Sequence, residues 1–299
     1  MKKKSGEDAV VRRLQRLLRR VPADVRAGIG DDCAAVKSGK NGTLTLLKTD
    51  CVVEGRHFLP RTSPSDVGWK AACRAVSDIA ACGGEPRFAL VTCVVRKEQT
   101  TRWIDGLYRG MEKAARAYGF HIVGGELART DGPAVISVAM TGEVASRDFT
   151  ERSGGMPGDV LFVTGVLGRS LASGWHLRFQ PRIEQARWLV RNFRPRAMMD
   201  LSDGLAADLP RLAAAGGTGF VIDPAVVPRR QKATLAQALG DGEDFELLFA
   251  IDSRQAARLE SAWKKKFPRL RLTRIGQLAP RGVAKGLGAV RGYDHFAAR

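Results

Sequence analysis

Carboxylates set beside glycine or a hydroxyl residue carry the first chemical signal in this chain, because they cluster in a sequence that is otherwise strongly basic. Five short segments hold them: Gly28-Ile29-Gly30-Asp31-Asp32, Thr49-Asp50, Ser77-Asp78, Asp200-Leu201-Ser202-Asp203-Gly204 and Gly242-Glu243-Asp244. Most fall where a strand or helix should end, and loops at such ends are where rigid scaffolds display working residues. Magnesium takes hard oxygen ligands in a tight octahedron and is usually held by one or two carboxylates together with substrate phosphates. Separate aspartates of this kind suit a nucleotide held through several metal ions. Each segment alone has a plainer account, since Asp-Gly and Ser-Asp pairs make turns and caps, and Ser202 or Asp203 would cap the helix that follows. All five together are harder to explain as turns.

The familiar nucleotide loops are missing. No Gly-x-x-x-x-Gly-Lys-Ser/Thr occurs, and no Gly-x-Gly-x-x-Gly follows a strand, which argues against a Walker-type ATPase and a dinucleotide enzyme. Gly124-Gly125-Glu126, after an expected strand at 120–123, would let backbone N–H groups approach a phosphate.

The elements that must position these residues alternate along the chain. Val10, Val11, Leu14, Leu17, Leu18 and Val21 recur at helical spacing, which predicts a first helix that buries one stripe and turns its arginines to water. Residues 43–47 read as a strand running into a loop at 48–58, and Ser65 as the cap of a helix from Asp66 to Gly83-Gly84. A buried strand at 88–95, a helix at 98–118 ending at Gly119, and strands at 120–123 and 134–144 follow. The linker candidate is Ser153-Gly154-Gly155-Met156-Pro157-Gly158-Asp159, which puts the division near residue 148 and gives domains 1–147 and 148–299. Beyond it, strands are expected at 160–164, 197–199, 220–222 and 246–251, with helical stretches at 167–177, 183–192 and 204–215. This alternation argues for α/β layers in both halves.

The bulk composition limits the partners. At 299 residues, with 44% hydrophobic and 27% charged residues, the chain is long enough for two cores and ordinary for a globular protein. No apolar run is long enough to span a membrane. The basic start lacks the apolar stretch of a secretory signal, and the five cysteines form no Cys-x-x-Cys pair, which together point to the cytoplasm. A formal charge of +18 favours anionic partners, from small molecules to nucleic acid. A nucleic-acid role would leave the aspartate segments unexplained.

Taken in order, the segments resemble the thiamine-monophosphate kinase family. Gly28 to Ala34, Lys48-Thr49-Asp50 with Glu54-Gly55-Arg56-His57-Phe58, and Ser77 to Gly83 carry the likeness in the first half, with Gly124-Gly125-Glu126. Arg152-Ser153-Gly154 with Pro157-Gly158-Asp159, Asp200 to Leu205, Gly242 to Leu247 and Gly292-Tyr293-Asp294-His295-Phe296 carry it in the second. The resemblance implies an α/β (α+β) fold shared with aminoimidazole ribonucleotide synthetase. In it the first domain pairs with a second subunit through a β-barrel, and the second is an α/β domain with a mixed sheet.

It further implies phosphorylation of thiamine monophosphate to thiamine diphosphate by ATP, with several Mg2+ ions, in a homodimer. By matching positions, Asp32, Thr49, Asp50, Asp78, Glu126, Asp200 and Asp203 would hold magnesium. Gly125, Glu126, Arg152 and Ser202 would contact ATP, while His57, Glu243 and Tyr293 would contact thiamine monophosphate. Lys48 stands where the family usually has a small hydroxyl residue contributing to a metal site, and Glu126 replaces an aspartate. Another ATP-dependent ligase of the same superfamily, akin to aminoimidazole ribonucleotide synthetase, would share the aspartates without needing the His57 and Tyr293 segments.

Overall fold

A computed structural model describes residues 6–18, 21–39 and 42–296. The first half forms a six-stranded sheet from β1 (Val25–Ala27), β2 (Ala34–Lys37), β3 (Thr43–Val53), β4 (Glu85–Arg96), β5 (His121–Thr130) and β6 (Val135–Ala145), ordered β1-β2-β3-β6-β4-β5. Neighbours run antiparallel except β4 and β5, which are parallel because a helix crosses between them. The second half forms another six-stranded sheet from β7 (Val160–Thr164), β8 (Ala197–Asp200), β9 (Gly219–Ile222), β10 (Leu247–Ile251), β11 (Leu272–Ala279) and β12 (Ala284–Lys285). Its order is β12-β9-β11-β7-β10-β8, again mixed, with only β12 and β9 parallel.

Helices α1 (Glu7–Leu17), α2 (Pro64–Ala81), α3 (Thr101–Tyr118), α4 (Ile183–Asn192), α5 (Leu205–Ala215), α6 (Leu235–Gly240) and α7 (Ala256–Lys266) dress the sheets. The second sheet is covered on both faces. Leu205, Leu209 and Leu212 of α5 pack on Leu161, Val163 and Leu248 from one side, and Leu189 of α4 with Leu259 and Trp263 of α7 pack on Phe162 and Phe249 from the other. That two-sided cover explains why β7 and β10 are buried at every position instead of alternating.

The first sheet is covered on one face only, by α2 and α3. Its other face leaves Leu47, Phe88, Leu90 and Val123 exposed, and these line a hollow of about 510 Å³. The sheet is open within one chain, with β1 and β5 at its edges.

Helix α2 begins at Pro64, whose fixed φ suits the first helical position, so Ser63 rather than Ser65 sits at the cap. Thr100 caps α3 by accepting from Trp103 N–H at 3.3 Å, and Gly119 ends it in the left-handed conformation. The expected helix at 167–177 is mostly turn. Gly168, Arg169 and Gly174 all hold positive φ, which breaks it down to a short 3-10 turn at Trp175–Leu177. Helix α1 forms, yet none of its described residues is buried, and Leu14 and Leu17 face water. It is tied by polar contacts instead: Gln15 to the Ile29 carbonyl at 2.5 Å and Asp8 to Arg211 at 2.9 Å. Among the described residues no helix is long and apolar enough to cross a membrane.

Close approach of α2 and α3 rests on glycine. A Cβ on Gly68 would lie 1.9 Å from the Leu107 carbonyl oxygen, and one on Gly110 would lie 1.9 Å from that of Ser65. Gly68→Ala should therefore lower stability in urea or thermal melts by about 1–3 kcal/mol, outweighing the roughly 1 kcal/mol that alanine gains in helix propensity. An unchanged melting temperature would show that the helices separate freely.

Candidate active site

Three elements bring acids to one place. Asp32 sits on the turn before β2, Asp78 in the last turn of α2, and Asp200 at the end of β8. One carboxylate oxygen from each lies within 4.8 Å of the others, and all three residues are buried. Strand alternation adds two more groups: Lys48 and Asp50 point from β3 to the same side, two residues apart. Helix α2 supplies Lys70, Arg74, Ser77 and Asp78, whose spacing puts them on one polar stripe of an otherwise apolar helix.

Each acid has its own partner. Arg152 makes a two-pronged contact with Asp32, at 3.1 and 2.5 Å, and its backbone N–H donates to Asp31. Arg74 grips both oxygens of Asp50 at 3.0 Å each. The Lys48 Nζ lies 2.7 Å from Asp78 Oδ1, whereas Asp200 accepts from a neutral group, the Ser77 hydroxyl at 2.6 Å. Electrostatics follow from this pairing. Burial and then the Asp32 charge push Asp200 up to about 7. Burial alone would raise Asp50, but the Arg74 guanidinium and the Lys48 ammonium outweigh it and the net shift is downward.

A second group of residues is joined to the first by Arg74, which also lies 3.5 Å from Glu243. Lys70, with no solvent exposure, donates to Glu243 at 2.8 Å and to the His57 carbonyl at 2.6 Å. Burial lowers its pKa to about 8 against the opposing pull of Glu243. The His57 ring accepts from Val53 N–H through Nδ1 at 3.0 Å, so Nε2 carries the proton. Burial, then Arg74, push its pKa down to about 3 and keep it neutral. His295 lies between two rings, 5.5 Å from His57 and 4.8 Å from Tyr293.

Glu243 and Phe245 both hold positive φ, near 55° and 52°, a conformation that persists only when the surroundings over-determine it. Here the Glu243 N–H donates to Ser202 O at 2.7 Å, the Phe245 N–H donates to Leu201 O at 2.8 Å, and Phe245 stacks on Phe179.

Not every expected residue joins the acids. Thr49 follows Lys48 on β3 and so points to the opposite, open face, 3.4 Å from the Ser137 hydroxyl. Glu126 is exposed on edge strand β5, in register with Thr92. Gly125 has no room for a side chain, since a Cβ would meet Val91 O at 1.9 Å. Asp203 pairs with Arg211 at 2.5 Å and takes the Tyr293 N–H on its carbonyl. Lys70 and Arg74 are absent from the residues picked out by type and spacing. Their recurrence four residues apart with Asp78, in a helix otherwise apolar, is the signal that marks them.

The donor set of Asp32, Asp78 and Asp200 is all hard oxygen, crowded and buried, which fits a divalent cation such as magnesium. Two mixed sheets joined around such a basin define the class. Residues 30–144 match the AIR synthase related protein N-terminal domain, and residues 168–285 match its C-terminal domain. Within that class the chain belongs to the thiamine-monophosphate kinase family. It is 37% identical to the thiamine-monophosphate kinase of Rhodopirellula baltica, across 86% of this chain and 84% of that one. It is also 30% identical to the Salmonella typhimurium enzyme of the same name, across 98% of each. A solved structure of AaThiL complexed with AMPPCP and TMP superposes with a TM-score of 0.83 at 30% identity, covering 97% of both chains.

The raised Asp200 and Asp208 carboxyls set a pH dependence. Burial, then Asp203, push Asp208 up to about 8. Both groups bind protons more tightly in the folded than in the unfolded chain, so their stabilising effect is complete below about pH 4 and is lost as pH rises through the folded values. In EDTA, the melting temperature should fall between about pH 5 and pH 8. Added Mg2+ should raise it more at the upper end than at the lower. A Mg2+ effect equal at both ends would mean that Asp200 does not take up the ion.

Proposed function

We propose that this protein transfers the γ-phosphoryl group of ATP to the phosphate of thiamine monophosphate, giving thiamine diphosphate and ADP. The observation that carries the reading is the convergence of Asp32, Asp78 and Asp200 within 4.8 Å, in a chain 37% identical to a thiamine-monophosphate kinase. The AaThiL complex with AMPPCP, an ATP analogue, and TMP supports the same pair of substrates.

A phosphate monoester loses its second proton near pH 6, so the attacking oxygen is largely ionised at neutral pH and needs no strong base. That agrees with a site whose histidine, His57, is held neutral. The harder task is to keep two polyanions in line, and in phosphoryl transfer positioning and charge neutralisation supply most of the catalysis. Magnesium, when bound, would neutralise and orient the phosphates. Asp32, Asp78 and Asp200 would hold it, with Asp50 and Asp203 as further oxygen donors, while Thr49 and Glu126, which lie on the open face of the first sheet, would serve a separate ion. Arg152, Gly125, Glu126 and Ser202 are assigned to ATP, and His57, Glu243 and Tyr293 to thiamine monophosphate. Arg152 suits its role because its planar fork, now on Asp32, matches phosphate equally well. Lys70 and Arg74 hold Glu243 in place from below.

A coupled ADP-release assay with thiamine monophosphate, thiamine and formylglycinamidine ribonucleotide as acceptors tests this. Turnover is expected with the first alone, and turnover only with the last would overturn the assignment. Asp200→Asn should cost on the order of 100-fold in turnover. Its circular dichroism should stay that of the wild type, because Asp200 is paired with a neutral hydroxyl. Full activity in that variant would remove Asp200 from the site.

We also infer a homodimer formed through the open face of the first sheet, the two sheets closing into a barrel. The contiguous exposed Leu47, Phe88, Leu90 and Val123 support it, since large apolar patches on soluble proteins usually mark contacts. Sedimentation velocity should give twice the chain mass, and Leu90→Asp should shift it to the single-chain value. A monomeric wild type would sink the inference.

A further inference from the structure

An ammonium group is an odd neighbour for three buried carboxylates. The Lys48 Nζ sits 2.7 Å from Asp78 Oδ1, and Asp78 is one of the three acids whose oxygens gather within 4.8 Å. The pair is enclosed: the Lys48 side chain is mostly shielded from water and that of Asp78 almost wholly so. Beside it, Arg74 closes both oxygens of Asp50. Two of the acids facing the basin from β3 and α2 thus have an oxygen already committed to a fixed cation of this chain.

A divalent ion at the Asp78 oxygen facing Lys48 would have to displace the ammonium or lie against a like charge. The oxygens of Asp200 and the far oxygen of Asp78 carry no such obstacle. We propose that Lys48, backed by Arg74, is a resident cation of the acidic basin that stands in for one divalent ion, so that this chain binds fewer metal ions than its oxygen donors would otherwise hold. The inference rests on the phosphotransfer reading only in taking the basin to be a divalent-cation site. Lys48 is thereby a positioning residue: it keeps Asp78 and its neighbours together without metal.

The test counts metal rather than turnover. Wild type, Lys48→Thr and Lys48→Met are dialysed to equilibrium against Mn2+ with AMPPCP, and bound Mn2+ is measured by mass spectrometry alongside circular dichroism. Lys48→Thr, which removes the charge and offers a hydroxyl, should bind one more Mn2+ per chain than the wild type. Lys48→Met removes the charge alone and should bind Mn2+ about 10-fold more tightly, because a like charge is gone. Equal number and affinity in wild type and Lys48→Thr would overturn the proposal. Should that variant fail to fold, unchanged affinity in Lys48→Met would overturn it equally. No Mn2+ binding by any of the proteins would bring down both the functional reading and this inference. A changed Mn2+ count without turnover of thiamine monophosphate would sink the substrate assignment and uphold the role of Lys48.

Discussion

Like charges crowded inside a protein repel one another with little water to screen them, and the arrangement around Asp32, Asp78 and Asp200 is built to manage that repulsion. Arg152, Arg74 and Lys48 each answer one acid, yet burial still raises the proton affinity both of Asp78, beside its lysine, and of Asp200, held by a hydroxyl. The same cationic groups that hold the basin together are groups that phosphates recognise. Stability without ligand and affinity for polyanions therefore draw on one set of side chains.

Helix α2 is the element that makes this possible. Most of its residues are buried, with Val67, Ala71, Ala72, Ala75, Val76 and Ile79 in the core of the first half and Ala80 in that of the second. A helix buried nearly all round is normally apolar all round. Here one stripe is polar, and every member of it is bonded: Lys70 to Glu243, Arg74 to Asp50, Ser77 to Asp200 and Asp78 to Lys48. The glycine contacts let α3 pack tightly on α2.

Much of this was legible in the residues themselves, for identifiable reasons. Acids beside glycine stand out in a chain of net charge +18, and strand and helix periods placed most of the elements that carry them. Basic residues have the opposite problem: Lys70 and Arg74 look like solvated helix surface until α2 is known to be enclosed. Thr49 and Asp50 are adjacent in the chain but lie on opposite faces of β3, so grouping them by sequence merges two sides of a sheet. The apolar spacing of α1 predicts a buried stripe that its position at the periphery denies. Helix α7 and strand β11 carry no motif, and the burial of Trp263 depends on partners, Leu189 among them, far away in the chain.

Lys70 has a mechanical consequence. Its ammonium is shared between a carboxylate from the second half and a backbone oxygen from the loop after β3. Swinging the halves apart would break this buried ion pair together with the Ser77–Asp200 hydrogen bond. Helix α2 thus ties the two halves to each other at two buried points, an ion pair and a hydroxyl–carboxylate bond.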